Sequence, residues 1–488
     1  MSLKAEIQRI PLIIMLSSLV IVVGSWLLML KTPLIALPVM MLFGFISAWL
    51  IIRFEAVPIL MKTMALLLPF SLEVPFIMDS MLRLPTEPLI VLSVMVLILD
   101  FLMHPGTWKG TPGRELLWLL PLVGALLLTI PFSGMPFVSV KFSMVNILYM
   151  LGFYVMIMRL SMKSASLFPQ MVFLYGLGVV LVMFWALVQY GLWDWNPVVV
   201  RGIFQPFYKD HTIFGASAAM LAAFWLGAAM TEELRGWRLM AFFTAVLFLM
   251  GVLLSTSRGA FLSLLAFGSV ILIFHLKPRP LHVLASVALL VVLSWSLTGT
   301  VIERFDRVES LSYDSEARLV ERTRSVANVS TDVSNIERLN RWVSAWRMFL
   351  ERPLTGFGPG TYQFEYIPYQ KKELMNRLSV TNPWSVPEGS GGTAHSEYLL
   401  ALSEMGVFGL LGWLLLMGRW IWMATSRWRT HPQKKYLMVA LAALSTYFFH
   451  ALVNNFLTTD KFAFLFWGMA AWLVANYHKK DETVLSTS

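Results

Sequence analysis

Two uncharged stretches near the start of the chain decide its fold class: residues 11–30 read PLIIMLSSLVIVVGSWLLML, and residues 34–52 read LIALPVMMLFGFISAWLII. A helix of about 20 apolar residues, rising about 1.5 Å per residue, crosses the roughly 30 Å hydrocarbon core of a bilayer. Of the 488 residues, 57% are hydrophobic and only 14% are charged, whereas about a quarter of a soluble chain is charged. The sequence therefore predicts an all-α polytopic membrane protein.

The same apolar pattern recurs along the chain and predicts about 12–14 transmembrane helices. The first stretch is too long for the core of a signal peptide, so we expect it to be retained. The third is interrupted by Pro69, Glu73, Pro75 and Asp79, and we expect it to be broken or partly re-entrant. The predicted spans are residues 11–30, 33–52, 63–82, 88–104, 115–132, 142–158, 168–192, 213–230, 238–256, 259–275, 281–299, 397–417, 436–457 and 461–477.

The net charge of +10 is explained by Lys and Arg in cytoplasmic loops, as the positive-inside rule expects. A nucleic-acid partner is not favoured, because no basic stretch alternates with aromatic residues as single-strand binders require. We place the basic loop 427–435 and the tail with Lys479 and Lys480 in the cytoplasm. Counting back through alternating spans also puts the N-terminus inside, provided that the chain crosses the membrane fourteen times.

This orientation divides the chain into four parts. Residues 1–192 form N-terminal transmembrane helices, and residues 193–299 form the helices that carry two arginine motifs. Residues 300–394 form a long extracytoplasmic loop with twelve basic and twelve acidic residues. Residues 395–488 form the C-terminal transmembrane helices and a cytoplasmic tail. The connection 193–212 and the turn 255–259 then face the same side as the long loop.

The long loop contains a predicted helix that starts near residue 334. The sequence SNIE at 334–337 has the capping-box pattern, in which Ser caps the first-turn amides and Glu reaches back. Apolar residues then recur at three- and four-residue steps, and Pro353 ends the helix. We expect this helix to lie on the membrane, to cross the mouth of the bundle, or simply to pack the loop. Its apolar stripe consists of Ile336, Leu339, Val343, Trp346 and Leu350.

The chain has no cysteine, which excludes disulfides, zinc–thiolate sites and cysteine nucleophiles. No Asp-x-Asp pair stands at a predicted membrane edge where it would indicate a metal. We therefore expect neither a metal nor another cofactor.

Three polar residues stand out on the extracytoplasmic side: Arg201, Arg258 and His395. A charge near the membrane centre costs about 2.5–3.5 kcal/mol, so each needs a reason. Arginine binds phosphate oxygens with a planar fork and stays charged, and histidine accepts a proton near neutral pH. Each residue alone has a plainer interpretation, as an interfacial arginine, a helix cap or lipid contact, or a satisfied polar group. Their coincidence on one face favours a site for an anionic lipid headgroup beside a general base.

From about residue 195 to residue 457, the chain resembles the bacterial O-antigen ligase/polymerase family. The resemblance rests on the order of several short motifs and on the long loop before the histidine. These motifs are RGIFQP at 201–206, DHTIFG at 210–215, STSRGA at 255–260, RWVSAW at 341–346, PLTGFGPG at 353–360, HSEYL at 395–399 and EMGVFG at 404–409.

The resemblance implies a GT-C-like fold and an inverting, metal-independent glycosyl transfer at the periplasmic face of the bacterial inner membrane. The donor would be a glycan linked to undecaprenyl diphosphate, bound among membrane lipids. Arg201 and Arg258 would hold the diphosphate, and His395 would activate or orient the acceptor hydroxyl. Glu397 and Glu404 are candidates for tuning His395, or Glu404 is structural. The remaining supporting candidates are Tyr398, Asp210, His211, His450 and Asn454; the last two share a helix face by their spacing and line the cavity or join helices.

Our leading hypothesis is a polymerase that adds the growing glycan to a new lipid-linked repeat unit. The alternative within the family is a ligase that transfers the finished glycan to lipid A core or another acceptor. A lipid-linked-oligosaccharide transporter is the alternative from another class, although a transporter would place ionisable groups near the midplane. A non-catalytic scaffold would leave the arginines beside a base unexplained.

Overall fold

The computed structural model describes residues 33–75, 81–108, 111–196, 199–231, 235–276, 333–376, 378–382, 392–426, 428 and 430–479. The predicted spans 11–30 and 281–299 lie outside these residues. Within the described part, eight segments are long and apolar enough to cross a membrane, and nine if one bent pair counts as a span. The chain is therefore an all-α multi-pass membrane protein, as the sequence predicted.

The helices are numbered in chain order. They are α1 (Pro33–Arg53), α2 (Val57–Leu67), α3 (Thr86–Met103), α4 (Thr111–Leu116), α5 (Leu120–Leu128), α6 (Pro136–Tyr149), α7 (Met156–Lys163), α8 (Leu167–Leu192), α9 (His211–Thr231), α10 (Arg235–Ser255), α11 (Arg258–Leu276), α12 (Val333–Glu351), α13 (Tyr362–Glu365), α14 (Glu397–Ser426), α15 (Lys434–His450) and α16 (Asp460–Tyr477). A π-helical turn, Met150–Val155, joins α6 to α7, so that residues 136–163 form one span.

The third predicted span, residues 63–82, is not one helix. The chain turns by 117° between α1 and α2, and α2 ends in a 3-10 turn, Leu68–Phe70. An antiparallel hairpin follows, with β1 (Leu72–Pro75) paired to β2 (Met81–Leu84). Pro69 and Pro75 cannot donate the backbone hydrogen bonds of a continuous helix, and Glu73 pairs with Arg83 across the hairpin at 3.1 Å. The expected break is confirmed.

Helix α16 is the centre of the bundle. All its residues from Asp460 to Asn476 are buried, and its aromatic side chains pack against those of α8, α14 and the π-helical turn. At its first turn, Asp460 accepts hydrogen bonds from the hydroxyls of Ser71 and Thr86. The Lys461 ammonium donates to the carbonyl of Phe207, so the connection before α9 is fixed to the central helix.

The amphipathic helix of the long loop is α12, but its most buried residues lie outside the predicted apolar stripe. Trp346 is 48% exposed and Leu350 is 60% exposed. The buried face carries polar groups instead, since the Asn340 amide pairs with Gln370 and with the N–H of Lys371 at 3.1 and 2.8 Å. The residues buried on this face are Glu337, Asn340, Arg341, Ser344, Ala345 and Met348. Hydrogen bonds to the following loop decide the orientation of this helix.

Helix α14 is broken near its start, where Gly406 has φ 64° and ψ −159°. The loop that contains the PLTGFGPG motif crosses the break. The N–H groups of Phe357 and Gly358 donate to carbonyls of the helix before the break at 3.0 and 2.8 Å, and the N–H of Val407 donates to Pro353 at 2.8 Å. This motif therefore joins the loop of α12 to the helix that follows the candidate base.

The predicted span 436–457 also requires a correction. The helix, α15, ends at His450, and residues 451–459 form a connection to α16. Asn454 lies in that connection rather than on a continuing helix. Its side chain nevertheless contacts His450, because the Asn454 N–H still donates to the His450 carbonyl at 3.0 Å.

Candidate active site

His395 lies directly before α14 and is held there by α12. The indole N–H of Trp342 donates to the carbonyl of His395 at 3.1 Å. The Arg341 guanidinium donates to the carbonyl of Thr393 at 3.2 Å. The backbone of His395 has φ +48°, a conformation that side chains other than glycine adopt only when their surroundings fix it. The contacts from α12 supply that constraint.

Two further features fix the short segment before His395. The hydroxyl of Thr393 donates to the amide oxygen of Asn455 at 2.5 Å, which joins the segment to the connection after α15. Gly392 has φ +92°, and a Cβ at this position would lie 1.5 Å from the Arg341 Nη1. Only glycine lets the backbone pass this close to the guanidinium.

The imidazole of His395 is kept neutral by its surroundings. Burial lowers the pKa of His395 to about 3, and the positive charges of Arg341 and Arg338 act in the same direction. The hydrogen bond with Asn454 and the charge of Asp210 oppose this shift but do not outweigh it. His395 at neutral pH is therefore an uncharged imidazole that can accept a proton.

A row of three side chains connects His395 to the end of α15. The Nδ1 of His395 lies 3.3 Å from the amide oxygen of Asn454. The amide nitrogen of Asn454 lies 2.9 Å from the Nε2 of His450. His450 and Asn454 are both buried. The two residues that the sequence proposed as a polar patch are thus brought together with the candidate base.

Arg258 stands at the end of this row. It is the first residue of α11, a helix that packs along α15. The next residue, Gly259, lies against the imidazole of His450, and a Cβ at Gly259 would lie 2.8 Å from the His450 Nε2. The contact brings the start of α11, and with it Arg258, to the end of α15.

The structure adds Arg338 and Arg341, which the sequence alone did not single out as site residues. Arg341 forms a buried ion pair, because its Nε lies 2.8 Å from a Glu337 oxygen and both side chains are buried. Arg338 donates to the side chain of Asn335 at 3.4 Å, and its charge acts on both His395 and His450. The signal available in the sequence was a pair of arginines three residues apart on the predicted helix.

The DHTIFG motif places an acidic group near the same histidines. Asp210 accepts hydrogen bonds from the Nδ1 of His211 at 2.9 Å and from the N–H of Thr212 at 2.8 Å. Although burial opposes it, these hydrogen bonds lower the pKa of Asp210 well below its usual range. Asp210 is thus an ionised cap at the start of α9. Arg201 is exposed in a 3-10 turn of the same connection, and no described contact joins it to His395.

Three supporting candidates on α14 bind elsewhere. Glu397 accepts the Tyr447 hydroxyl at 2.5 Å and a backbone N–H of the connection after α15 at 3.1 Å. Glu404 accepts the N–H of Tyr362 at 3.0 Å. The hydroxyl of Tyr398 donates to a backbone carbonyl of α15 at 2.9 Å. Their contacts hold α14 against α15 and the long loop, and the described hydrogen bonds give none of them a contact with His395.

Comparison with known proteins identifies part of the chain. Residues 243–414 match the family model described as O-antigen ligase, which confirms the resemblance seen in the motifs. No curated protein matches the chain. The matched stretch contains Arg258, Arg338 and His395, whereas Arg201 and Asn454 lie outside it.

Proposed function

We propose that this multi-pass membrane protein is a glycosyl-transfer enzyme that polymerises lipid-linked glycans, and the match of residues 243–414 to the O-antigen ligase family supports this proposal. The growing chain would leave its undecaprenyl diphosphate carrier and join the non-reducing end of a new lipid-linked repeat unit. The reaction would occur at the periplasmic face of the inner membrane. Transfer to lipid A core by a ligase is the second candidate, and the description of the matching family favours it.

One observation carries the proposal: an uncharged imidazole stands among arginines at one end of the bundle. His395 has a pKa of about 3 because of burial and of Arg341 and Arg338. A base that is neutral at working pH can take the proton of an attacking hydroxyl. Cations close to it can stabilise the negative charge of a leaving diphosphate.

The transfer then follows from these roles. The acceptor hydroxyl attacks the anomeric carbon from the face opposite the diphosphate, and a new carbon–oxygen bond forms with inversion. The bond between the anomeric carbon and the phosphate oxygen breaks, and its electron pair leaves with the diphosphate. His395 accepts the hydroxyl proton. Arg258 and Arg338 bind the phosphate oxygens, with Arg201 joining them as the family resemblance implies.

The proposal is tested by transfer in liposomes that contain lipid-linked repeat units, for wild type, Arg258→Ala and Arg338→Ala. Loss of one arginine is expected to lower kcat by about 10²–10³-fold, the range found when one group that stabilises a developing anion is removed. Arg347→Ala is the matched control, because Arg347 is exposed on the same helix as Arg338 and we expect it to keep wild-type activity.

Each product identifies one function. Polymer together with free undecaprenyl diphosphate supports the polymerase. If the donor is consumed only after lipid A core is added, the protein is a ligase and not a polymerase. Movement of intact donor across the bilayer without cleavage overturns glycosyl transfer in favour of a transporter.

The close packing of Gly259 on His450 leads to a specific prediction. In Gly259→Ala, the new Cβ would lie 2.8 Å from the His450 Nε2, so the His450–Asn454–His395 row must shift. A displacement of about 1 Å near a reacting centre costs about 10²-fold in rate, and we expect a loss of that order. Gly268→Ala is the control on the same helix, because a Cβ there meets no atom within 4 Å. Equal activity of the two variants would contradict the packing argument.

The pH dependence of the reaction follows from the pKa of His395, which is lowered to about 3. A histidine with the ordinary pKa of about 6.5 would be only about 3% neutral at pH 5, whereas His395 remains almost entirely neutral. We therefore expect kcat/KM for the donor to stay nearly constant from pH 7.5 to pH 5 and to fall only at lower pH. A fall centred near pH 6.5 in purified enzyme would show that His395 is not the base or is not buried.

A further inference from the structure

The side-chain amide of Asn454 stands between two imidazole rings, and this arrangement constrains both of them. The amide oxygen lies 3.3 Å from the Nδ1 of His395, and the amide nitrogen lies 2.9 Å from the Nε2 of His450. An amide has a donor end and an acceptor end, and a neutral imidazole has one nitrogen of each kind. The protonated nitrogen of one ring therefore determines that of the other.

We propose that Asn454 is a positioning residue that holds His395 as the tautomer protonated on Nδ1, so that its Nε2 is the base of the proposed transfer. In this arrangement the Nδ1 of His395 donates to the amide oxygen, and the amide N–H donates to the Nε2 of His450. Nε2 of His395 is then the only nitrogen in that ring with a free lone pair. The catalytic role of Nε2 rests on the proposed function, whereas the tautomer of His395 rests only on the hydrogen bonds of Asn454.

His450 is the partner of the amide nitrogen of Asn454. His450 is buried, and its Nδ1 has no hydrogen-bond partner among the described residues. When Nε2 of His450 accepts a hydrogen bond from Asn454, the Nδ1 of His450 carries the proton. The charges of Arg338 and Asp210 both act on this ring. If the amide were reversed, His450 would donate through Nε2 and His395 would be protonated on Nε2, where it could not act as a base.

The backbone contacts of His395 do not involve its imidazole ring. The side-chain amide of Asn454 is therefore the group that selects the tautomer. Trp342 binds the carbonyl of His395, and the N–H of His395 lies 3.4 Å from the Thr393 hydroxyl. Neither contact involves the ring. The charged and titratable groups that act on the ring are Arg338 and Arg341 from α12 and Asp210 from the connection before α9, with neutral His450 beyond the amide.

The test compares wild type with Asn454→Leu and Asn454→Asp by ¹⁵N NMR of histidine-labelled protein in lipid nanodiscs. The His395 signals are assigned by their absence in His395→Asn. In wild type we expect a protonated Nδ1 and a bare Nε2. Asn454→Leu removes both hydrogen bonds and is expected to give a mixture of tautomers, whereas Asn454→Asp keeps an acceptor for Nδ1–H and is expected to retain the wild-type tautomer.

Kinetics supply the second measurement. Asn454→Leu is expected to lower kcat by about 10–100-fold, part of the usual contribution of a general base, with the KM of the donor changed less than about threefold. Asn454→Asp is expected to have a much higher kcat than Asn454→Leu. It is also expected to move the acid limb of the pH–rate profile to higher pH, because a carboxylate beside an imidazole raises the pKa of the imidazole. Asn476→Leu, which alters a buried asparagine whose amide nitrogen donates to the carbonyl of Trp472, is the control for loss of an amide.

The outcomes separate the two proposals. A His395 protonated on Nε2 in wild type, or an unchanged tautomer in Asn454→Leu, overturns the positioning role whatever the enzyme transfers. If Asn454→Leu does not fold, the pH profile of Asn454→Asp decides, and an unshifted acid limb counts against the proposal. The expected tautomer in a protein that transfers no glycan would instead refute the proposed function alone.

Discussion

Replacing His395 by alanine is expected to lower the rate of glycan transfer by about 10²–10⁴-fold, the usual contribution of a general base. Donor binding should change little, because the arginines that bind the diphosphate keep their positions. The backbone of His395 is held by Trp342 and Thr393, so removal of the ring does not release the segment. The measurement is kcat and KM for the donor in proteoliposomes, with insertion verified by protease protection.

The control for this prediction is His104→Ala. His104 follows α3, and its side chain is half exposed beside Asp100, so we expect wild-type activity. His395→Gln keeps a hydrogen-bonding side chain of similar size but has no nitrogen that accepts a proton, and it should be nearly as inactive as His395→Ala. Retention of more than half of the wild-type rate by His395→Gln would mean that the residue orients the acceptor without removing its proton.

The second large effect is expected from the buried ion pair of α12. In Arg341→Met, the carboxylate of Glu337 loses its partner at 2.8 Å, although both side chains are more than 90% buried. Removing one member of a buried pair costs about 3–5 kcal/mol, because the remaining charge is left in a low-dielectric environment. The same substitution removes the hydrogen bond to Thr393 that holds the segment before His395. We expect a large drop in the free energy of unfolding, measured in detergent by circular dichroism.

Two variants show whether the charge is the cause. The double variant Glu337→Leu, Arg341→Met removes both charges and is expected to recover most of the lost stability, since apolar replacements of buried ion pairs are often neutral. Arg347→Met alters an exposed arginine of the same helix and should cost less than about 1 kcal/mol. If Arg341→Met were as stable as Arg347→Met, the pair would contribute nothing and the long loop would be held by its other contacts.

The sequence predicted the membrane class and most of the spans. Long apolar runs determine insertion on their own, because a helix in hydrocarbon satisfies its backbone hydrogen bonds internally. The break in the third span was also predictable, since Pro69 and Pro75 remove backbone donors wherever they stand. The end of α15 at His450 was not, because the apolar pattern continues to Leu457 although the helix does not.

In the long loop, the sequence predicted a helix but not the face that it buries. Periodicity alone left open whether the stripe with Trp346 and Leu350 meets the membrane, crosses the mouth of the bundle or packs the loop, and both residues are exposed. The buried face is decided by hydrogen bonds of Asn340 and Glu337 with residues 30 to 42 positions later in the chain. Contacts of that kind have no local signal in the sequence.

For the candidate site, motif resemblance by itself singled out Arg258 and His395, because their short sequence contexts are recognisable without a structure. Only the tertiary structure brings Asn454 to His395 across 59 positions and sets Arg338 near both histidines. It also shows that Glu397 and Glu404, which the family resemblance proposed as groups that tune the base or, for Glu404, as structural, bind other partners. The physical reason is that spacing along a helix fixes which side chains share a face, whereas the packing of distant segments decides what that face meets.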